Sequence, residues 1–203
     1  MANPFQAVKD FEAALCEYTG AKYAVTVNSR TMALLLAVAY EIQRDPAFTQ
    51  VSIPARTYVS VPQSVIHAGG RPIFRDEEWI GRYQLSPLPV WDSARYFTSG
   101  MHMPGCFQCV SFHATKILGD TQGGAILHDN DDADAWLRKA RFDGRTEGVP
   151  PSVDHFSMVG WHCYMSPDVA ARLLHKLSVL PKYNAPLPND NYPDLSLFEA
   201  FKR

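Results

Sequence analysis

Residues 23–43 read YAVTVNSRTMALLLAVAYEIQ. The opening segment Tyr23–Val27 is short, apolar and rich in β-branched residues, and this pattern predicts a buried strand. The polar residues Asn28 and Ser29 end the strand, and the apolar run over residues 31–43 predicts a helix. A strand, a small polar turn and a helix form an α/β unit in which the amides at the helix N-terminus face an anion.

The same alternation of strand and helix extends along the chain on both sides of this unit. Apolar residues at helical spacing predict a first helix over residues 5–18, which ends before Gly20. Further strands are predicted at residues 51–54, 72–74, 88–91, 107–112 and 123–127, and further helices at 58–68, 131–141 and 165–180. We therefore expect an α/β fold with a mostly parallel sheet flanked by helices, in which ligands bind at the carboxyl ends of the strands.

The segment after residue 180 has a different composition. Residues 181–196 contain four prolines and few apolar positions at regular spacing. The sequence thus predicts one large domain over residues 1–180 and an extended C-terminal arm or tail over residues 181–203. An arm that wraps a partner subunit and a loosely held tail both fit this composition.

Composition and charge point away from several classes of protein. Nineteen Lys and Arg residues against 21 Asp and Glu give a net charge of −2, so electrostatics does not indicate a nucleic-acid site, although a weak contact stays open. The longest apolar run, residues 32–40, is too short to cross a membrane, and the N-terminus lacks the layout of a secretory signal. The four cysteines lie inside patterned segments, which favours free thiols in the cytoplasm, and the scattered histidines predict no metal site.

Two of the predicted strands are followed by polar side chains that could take part in catalysis or ligand binding. Lys116 comes a short turn after the strand at 107–112, and a partly desolvated lysine there could form a Schiff base through its neutral amine. An ordinary surface lysine is the alternative. Asp92 ends the strand at 88–91, where it could face a cationic ligand group or simply cap a turn.

Four further residues could contribute to an anion or ring site. Ser29 and Thr31 stand at the start of the helix over 31–43, where hydroxyls and amides suit a phosphate but also serve as a helix cap. Ser111 could add a hydroxyl, or it could belong only to its strand. Tyr58 could stack on a flat ring, or it could pack in the core.

The order of several segments resembles the DegT/DnrJ/EryC1/StrS family of sugar aminotransferases. The segments that carry the resemblance are YTGAKYAVTVNSRTMAL (18–34), IPARTYVSVPQSVIHAGGRPIFRD (53–76), WDSA (91–94), SFHATKIL (111–118) with QGG (122–124), and GWHCYMSPDVAARLLHKL (160–177). They cover roughly residues 5–180 in the order of the family, and the SFHATK segment with its following glycine pair is the most specific.

The resemblance implies the large domain of a fold type I enzyme that depends on pyridoxal 5′-phosphate (PLP). Lys116 matches the lysine that holds PLP as a Schiff base, and Asp92 matches the partner of the pyridine nitrogen. The other implied cofactor-binding residues are Ser29, Arg30 and Thr31 in the phosphate cradle, Ser111 at the phosphate, Tyr58 on the ring face, and His162, which matches a residue that reaches the phosphate of the neighbouring subunit. A homodimer with its active site at the interface is therefore expected.

The sequence also departs from the family pattern. Arg30 replaces a small residue of the cradle, where it would either strengthen phosphate binding or intrude on it. Arg95 stands where the family has Gln or His near the phenolic oxygen of the cofactor, and Gln122 stands where Glu is usual. The segment between Asp76 and Asp92 is short, and a C-terminal small domain is expected to be missing.

The function implied by the resemblance is amino transfer to a keto sugar or a nucleotide-linked substrate through Lys116, with Asp92 as the second catalytic residue. Two alternatives stay open at this point. The chain could be a non-catalytic or degenerate PLP-binding module or subunit. It could also use PLP for decarboxylation or elimination on a modified nucleotide, because the pocket chooses which bond the cofactor breaks.

Overall fold

The computed structural model describes residue 3 and residues 5–202 of the 203-residue chain. Strands and helices alternate along almost all of this part. Their order is α1 (Gln6–Thr19), β1 (Tyr23–Val27), α2 (Arg30–Arg44), β2 (Gln50–Pro54), α3 (Ser60–His67), β3 (Arg71–Arg75), β4 (Tyr83–Leu85), β5 (Val90–Asp92), β6 (Phe107–Ser111), β7 (Gly124–His128), α4 (Asp131–Ala140) and α5 (Pro167–Ser178), followed by two 3-10 turns, Leu195–Leu197 and Glu199–Phe201.

The strands form a mixed sheet in the order β1-β7-β6-β5-β4, and β2 and β3 form a parallel pair beside it. Ser52 of β2 and Ser86, just after β4, exchange backbone hydrogen bonds of 2.6 and 3.0 Å, which join the pair to the other strands. In the described residues, β4 and β7 run opposite to the other five strands.

The predicted α/β class, with a sheet flanked by helices, is confirmed. Five of the seven described strands run in the same direction, as a mostly parallel sheet requires. Hydrogen-bonded pairing is more mixed than expected, because β7 and β4 pair antiparallel with each of their strand neighbours. The connections explain both reversals. Four residues join β4 to β5 and a loop without a helix joins β6 to β7, whereas a parallel return needs a long crossover.

Helices cover both faces of the sheet, so the strands are buried on each side. One core contains residues of α2, α3 and α4 with Cys109 and Ile126, and the other contains residues of α1 and α5 with Val110 and Leu127. Successive residues of β6 therefore face opposite layers, as the pleat of a strand requires. The predicted helices and strands agree with the observed ones within two residues at each end, whereas β4 was not predicted.

Residues 181–194, called the C-terminal arm below, lie extended along the body of the same chain. The Tyr18 hydroxyl donates a hydrogen bond to the Pro181 carbonyl, and the Thr98 hydroxyl and the Ser99 amide both donate to the Lys182 carbonyl. At the far end, the Leu195 amide donates to the Ala55 carbonyl at 2.9 Å. No helix in the described part of the chain is long and apolar enough to cross a membrane.

A buried carboxylate ties α1, β1 and α4 together. Glu12 accepts hydrogen bonds from the Thr26 amide (2.9 Å), the Arg138 guanidinium (2.7 Å) and the Arg141 guanidinium, and Glu12 and Arg141 are almost fully buried. Burial by itself would raise the pKa of Glu12, but the charges of Arg141 and Arg138 outweigh it and lower this pKa. The ionised form of Glu12 therefore stabilises the fold.

We expect Glu12→Gln to lower the free energy of unfolding at neutral pH by about 3 kcal/mol, because it leaves buried Arg141 without its closest counter-charge. Because the folded-state pKa is lowered, the contribution of Glu12 is present above its unfolded pKa and is lost as the pH falls through the folded value. Urea unfolding of both proteins at several pH values measures this difference, which should shrink in acid. Exposed Glu17→Gln on the same helix is the control, and an equal loss in both variants would contradict the account.

Candidate active site

A cavity of about 470 Å³ lies where β1, β2, β5 and β6 end and β7 begins. This is the edge of the sheet at which ligands were expected, and the volume is in the usual range for small-molecule sites. Eight predicted site residues line it: Ser29, Arg30, Thr31, Tyr58, Asp92, Arg95, Ser111 and Lys116. The other lining residues are Thr57, Trp79, Ala94, His113, Thr115, Thr121, Gln122, Gly123, Asp190 and Tyr192.

The turn between β1 and α2 forms one wall of the cavity. The Ser29 hydroxyl caps α2 by accepting a hydrogen bond from the Met32 amide at 3.3 Å, and the Thr31 hydroxyl donates to Ser60 at 2.9 Å. The start of β7 presses against this turn, because a Cβ on Gly124 would lie 2.5 Å from the Arg30 nitrogen. The glycine pair therefore allows the β1–α2 turn and β7 to meet at the cavity.

Lys116 lies on the loop between β6 and β7, and backbone contacts fix the shape of this loop. The Lys116 amide donates to the His113 carbonyl at 2.9 Å, and a Cβ on Gly119 would lie 2.9 Å from the Lys116 carbonyl. The carboxylate of Asp120 accepts hydrogen bonds from Arg172 and Lys176, both on α5. The loop is thus anchored to a helix on one side and presents Lys116 to the cavity on the other.

Lys116 is partly buried, and its amine has no hydrogen-bond partner among the residues that the structure describes. Burial lowers the pKa of Lys116, and the positive charges of Arg95 and Arg30 lower it further. Asp92 and Asp190 act in the opposite direction without reversing the shift. The neutral amine is therefore more populated than in an exposed lysine, as nucleophilic chemistry requires.

Asp92 is buried at the end of β5 and both of its oxygens are engaged. Its Oδ2 accepts hydrogen bonds from the Arg30 guanidinium (3.1 Å) and the Tyr83 hydroxyl (2.7 Å), and its Oδ1 accepts from the Ala94 amide (3.0 Å). Burial, and then the charge of Asp92, raise the pKa of Tyr83 well above its usual value, so the hydroxyl stays a donor. These three donors thus fix the orientation of the Asp92 side chain.

The side chain of Arg30 lies between Asp92 and Tyr58. Its guanidinium carbon is 5.5 Å from the centroid of the Tyr58 ring, and it is almost fully buried. Burial would lower the pKa of Arg30, but the charge of Asp92 and smaller contributions from other neighbouring groups together raise it. Although the backbone of Arg30 belongs to the β1–α2 turn, its charge is directed to Asp92, an orientation that the sequence did not indicate.

The C-terminal arm covers part of the cavity. Arg95 donates hydrogen bonds to the Pro188 carbonyl (2.5 Å) and to both oxygens of Asp190 (2.6 and 3.1 Å). The ring of Tyr192 stacks on Trp79 at 6.3 Å between centroids, with 11° between the ring planes. Asp190 and Tyr192 therefore take part in the site although they lie beyond the predicted large domain.

His162 is the one predicted site residue that lies outside the cavity. Its side chain is 70% exposed, and its Nδ1 lies 2.8 Å from the Asp143 carboxylate. Because the expected role of His162 is in a neighbouring subunit, this role stays a prediction.

Sequence reasoning missed four residues that shape the site: Tyr83, Trp79, Asp190 and Tyr192. Tyr83 lies in a three-residue strand without a clear pattern, and Trp79 lies in a loop. The proline spacing of the arm did indicate an extended segment, but no local signal indicated where that segment lies. Tyr83 pairs with Asp92 across a turn, and Asp190 pairs with Arg95 over a long distance in sequence, so local patterns do not reveal either contact.

The comparison with family models identifies the chain. Residues 2–88 and 101–186 match the model described as the DegT/DnrJ/EryC1/StrS aminotransferase family. The chain belongs to this family. A search of curated proteins gave no significant match.

Solved structures with the same fold include sugar aminotransferases. PseC of Helicobacter pylori, an aminotransferase involved in the biosynthesis of pseudaminic acid, is 18% identical with a TM-score of 0.74, covering 87% of this chain and 58% of its own. The sugar aminotransferase CalS13 of Micromonospora echinospora is 18% identical with a TM-score of 0.73, and the match covers 86% of this chain and 61% of CalS13. A DegT/DnrJ/EryC1/StrS aminotransferase of Brucella abortus is 19% identical with a TM-score of 0.67, covering 86% and 59%. This DegT/DnrJ/EryC1/StrS family member thus spans about three fifths of the length of these structures.

In this DegT/DnrJ/EryC1/StrS family member, we expect Arg95→Gln to raise the pKa of Lys116, because it removes a neighbouring positive charge and leaves Asp190 unpaired. The rate of Lys116 acylation should therefore reach its half-maximum at a higher pH than in the unsubstituted protein. Peptide mapping by mass spectrometry after timed acylation measures this rate. Arg82→Gln removes a positive charge outside the cavity and should leave the profile unchanged. An unchanged profile for Arg95→Gln would contradict this account of the pKa.

Proposed function

We propose that this chain binds PLP through Lys116 and transfers an amino group to a keto sugar or a nucleotide-linked substrate. The observation that carries this proposal is that Lys116 and Asp92 line the same cavity and interact electrostatically. A lysine amine and a buried carboxylate are the groups required at the two ends of the pyridine ring of PLP. Membership of the DegT/DnrJ/EryC1/StrS family supports the same assignment.

The residues around the cavity fit most parts of PLP. Ser29, Thr31 and Ser111, with the first-turn amides of α2, would hold the phosphate. Tyr58 would cover a ring face, and Arg95 would lie near the phenolic oxygen. PLP, when bound, supplies an electron sink that makes the amine-bearing carbon of the substrate acidic.

The protein groups supply binding and proton transfer in this proposal. The lowered pKa of Lys116 provides a neutral amine that can take a proton from the amine-bearing carbon and return it. Asp92, which accepts hydrogen bonds from Arg30 and Tyr83, would face the pyridine nitrogen and keep a proton on it. Ser29 and Thr31 would fix the position of the phosphate while the proton moves.

The fit is least good at Asp92, because Arg30 already neutralises this carboxylate and lies in front of Tyr58. A pyridine nitrogen would have to displace the guanidinium or share Asp92 with it. This pair favours the second candidate function, a PLP-binding module or subunit with weakened catalysis. Glutamate separates the two candidates, because a competent transaminase should move its amino group to the cofactor and remove the visible absorbance, whereas a binding module should leave the absorbance unchanged.

We propose further that the active protein is a cytoplasmic homodimer in which His162 contacts the phosphate bound by the other subunit. The exposure of His162 on the surface supports its contact with another subunit. The four free cysteines support a reducing compartment such as the cytoplasm.

Incubation with PLP followed by borohydride tests the central assignment. We expect a visible absorbance band from the protein with PLP and, after reduction, a stable adduct on the peptide that contains Lys116. Lys116→Ala should lose both, whereas Lys22→Ala, a lysine outside the cavity, should retain both. Absence of the band and of the adduct from the unsubstituted protein would refute the proposal.

Arg30→Ser tests how the Arg30–Asp92 pair affects cofactor binding. Without PLP, we expect the variant to be less stable by about 3 kcal/mol, because Asp92 is left as a buried charge without its cation. PLP should then bind more tightly than to the unsubstituted protein, since its pyridinium supplies the missing charge. Thermal unfolding with and without PLP measures both effects, and Arg71→Ser, which removes an exposed arginine outside the cavity, is the control. Weaker PLP binding by Arg30→Ser would show that Arg30 instead helps to hold the cofactor.

A further inference from the structure

Arg95 is a nearly buried cation whose donors all point toward the C-terminal arm. Its side chain is 10% exposed, and its two terminal nitrogens contact the two oxygens of Asp190 at 2.6 and 3.1 Å. Its Nε donates to the Pro188 carbonyl at 2.5 Å. A guanidinium that meets both oxygens of one carboxylate is the geometry with which proteins bind a planar carboxylate ligand.

The two partners of this ion pair are unequal. The Asp190 side chain is 59% exposed and belongs to a segment without helix or strand, so its carboxylate can return to water at little cost. Arg95 is held in the wall of the cavity and cannot do so, and a buried cation without an anion is strongly destabilising. The position that Asp190 occupies therefore requires a carboxylate, but not necessarily that of Asp190.

This position belongs to the cavity that contains the reactive amine. Lys116, Arg95 and Asp190 line the same cavity, and the charges of both Arg95 and Asp190 influence the pKa of Lys116. An amino acid whose carboxylate replaced that of Asp190 would hold its own amine inside the cavity that contains Lys116. The amino donor of a transaminase needs this arrangement.

We propose that Arg95 binds the carboxylate of the amino donor, and that Asp190 occupies this site until the donor displaces it. This inference rests on the proposed function for the identity of the ligand as an amino donor. The site itself is a property of the protein without cofactor, and it can be tested in that form.

Displacement of Asp190 would also loosen the neighbouring part of the C-terminal arm. The Leu187 amide donates to the Arg95 carbonyl at 2.8 Å, and the Tyr192 hydroxyl donates to Asp190 at 3.1 Å. Tyr192 in turn stacks on Trp79. Ligand binding at Arg95 therefore changes the surroundings of Trp79, and the fluorescence of this residue reports the displacement.

The test uses glutarate, which has the carboxylates of a five-carbon amino donor but neither an amine nor a carbonyl that could react with Lys116. In the full chain without PLP, we expect glutarate to bind, to change the fluorescence of Trp79 and to raise the melting temperature. Trp79→Phe should abolish the fluorescence change and identify its source. Glutaramide, which has no charge, should produce none of these effects.

Asp190→Asn removes the competing carboxylate and keeps the shape of the side chain. We expect the affinity for glutarate to rise by about 10-fold or more, because the ligand no longer competes with an internal group. Asp194→Asn removes a carboxylate from the same arm outside the cavity and should leave the affinity unchanged. Arg95→Lys, which keeps the charge but loses the two-point contact, should weaken binding.

Equal glutarate affinity in the unsubstituted protein and in Asp190→Asn would overturn the inference, as would binding that Arg95→Lys leaves intact. Inorganic phosphate is the second ligand, and phosphate that binds Asp190→Asn more tightly than glutarate and is lost in Arg95→Lys would overturn the assignment of Arg95 to a carboxylate. Because none of these measurements involves PLP, a negative result leaves the borohydride labelling of Lys116 as a separate test of the proposed function.

Discussion

The buried carboxylate of Asp92 is the constraint on which the rest of the site depends. A carboxylate at the end of a buried strand has to receive hydrogen bonds and an opposite charge, since either alone leaves a large desolvation penalty. Arg30 supplies the charge from the start of α2, Tyr83 supplies a hydroxyl from β4, and Ala94 supplies an amide from the following turn. Asp92 thereby fixes the relative positions of three chain segments around one cavity.

This requirement also explains how the site differs from the family pattern. The resemblance implies a small residue at the position of Arg30, and a small side chain there would leave the Asp92 carboxylate free to face the pyridine nitrogen of PLP. Here the Asp92 carboxylate is already paired with Arg30. The pair stabilises the cavity without cofactor, but it also blocks direct access of a ligand to Asp92. The C-terminal arm adds a second such pair at the mouth, where Asp190 satisfies Arg95. Both pairs hold charges that a ligand would otherwise neutralise.

The sequence predicted the helices and strands well, and eight of the nine residues that it predicted for the site line the cavity. Strong apolar runs such as that of β1 reveal buried elements, and the common direction of β1, β5 and β6 brings Ser29, Asp92 and Ser111 to one edge. Local patterns could not predict the orientation of Arg30, because its partner is 62 residues away. The path of the arm was equally hidden, since Asp190 and Arg95 are 95 residues apart and neither segment is periodic. Contacts of this kind follow from tertiary packing and from the need to neutralise buried charges.

The central claim is that one cofactor ring lies between Lys116 and Asp92. A crystal structure of the protein grown with PLP tests it most directly. The account predicts continuous electron density from the Lys116 amine to PLP, with the pyridine nitrogen directed toward Asp92 and the Arg30 guanidinium moved away from its present position. Density for PLP that does not reach Lys116, or a ring whose nitrogen faces away from Asp92, would contradict it.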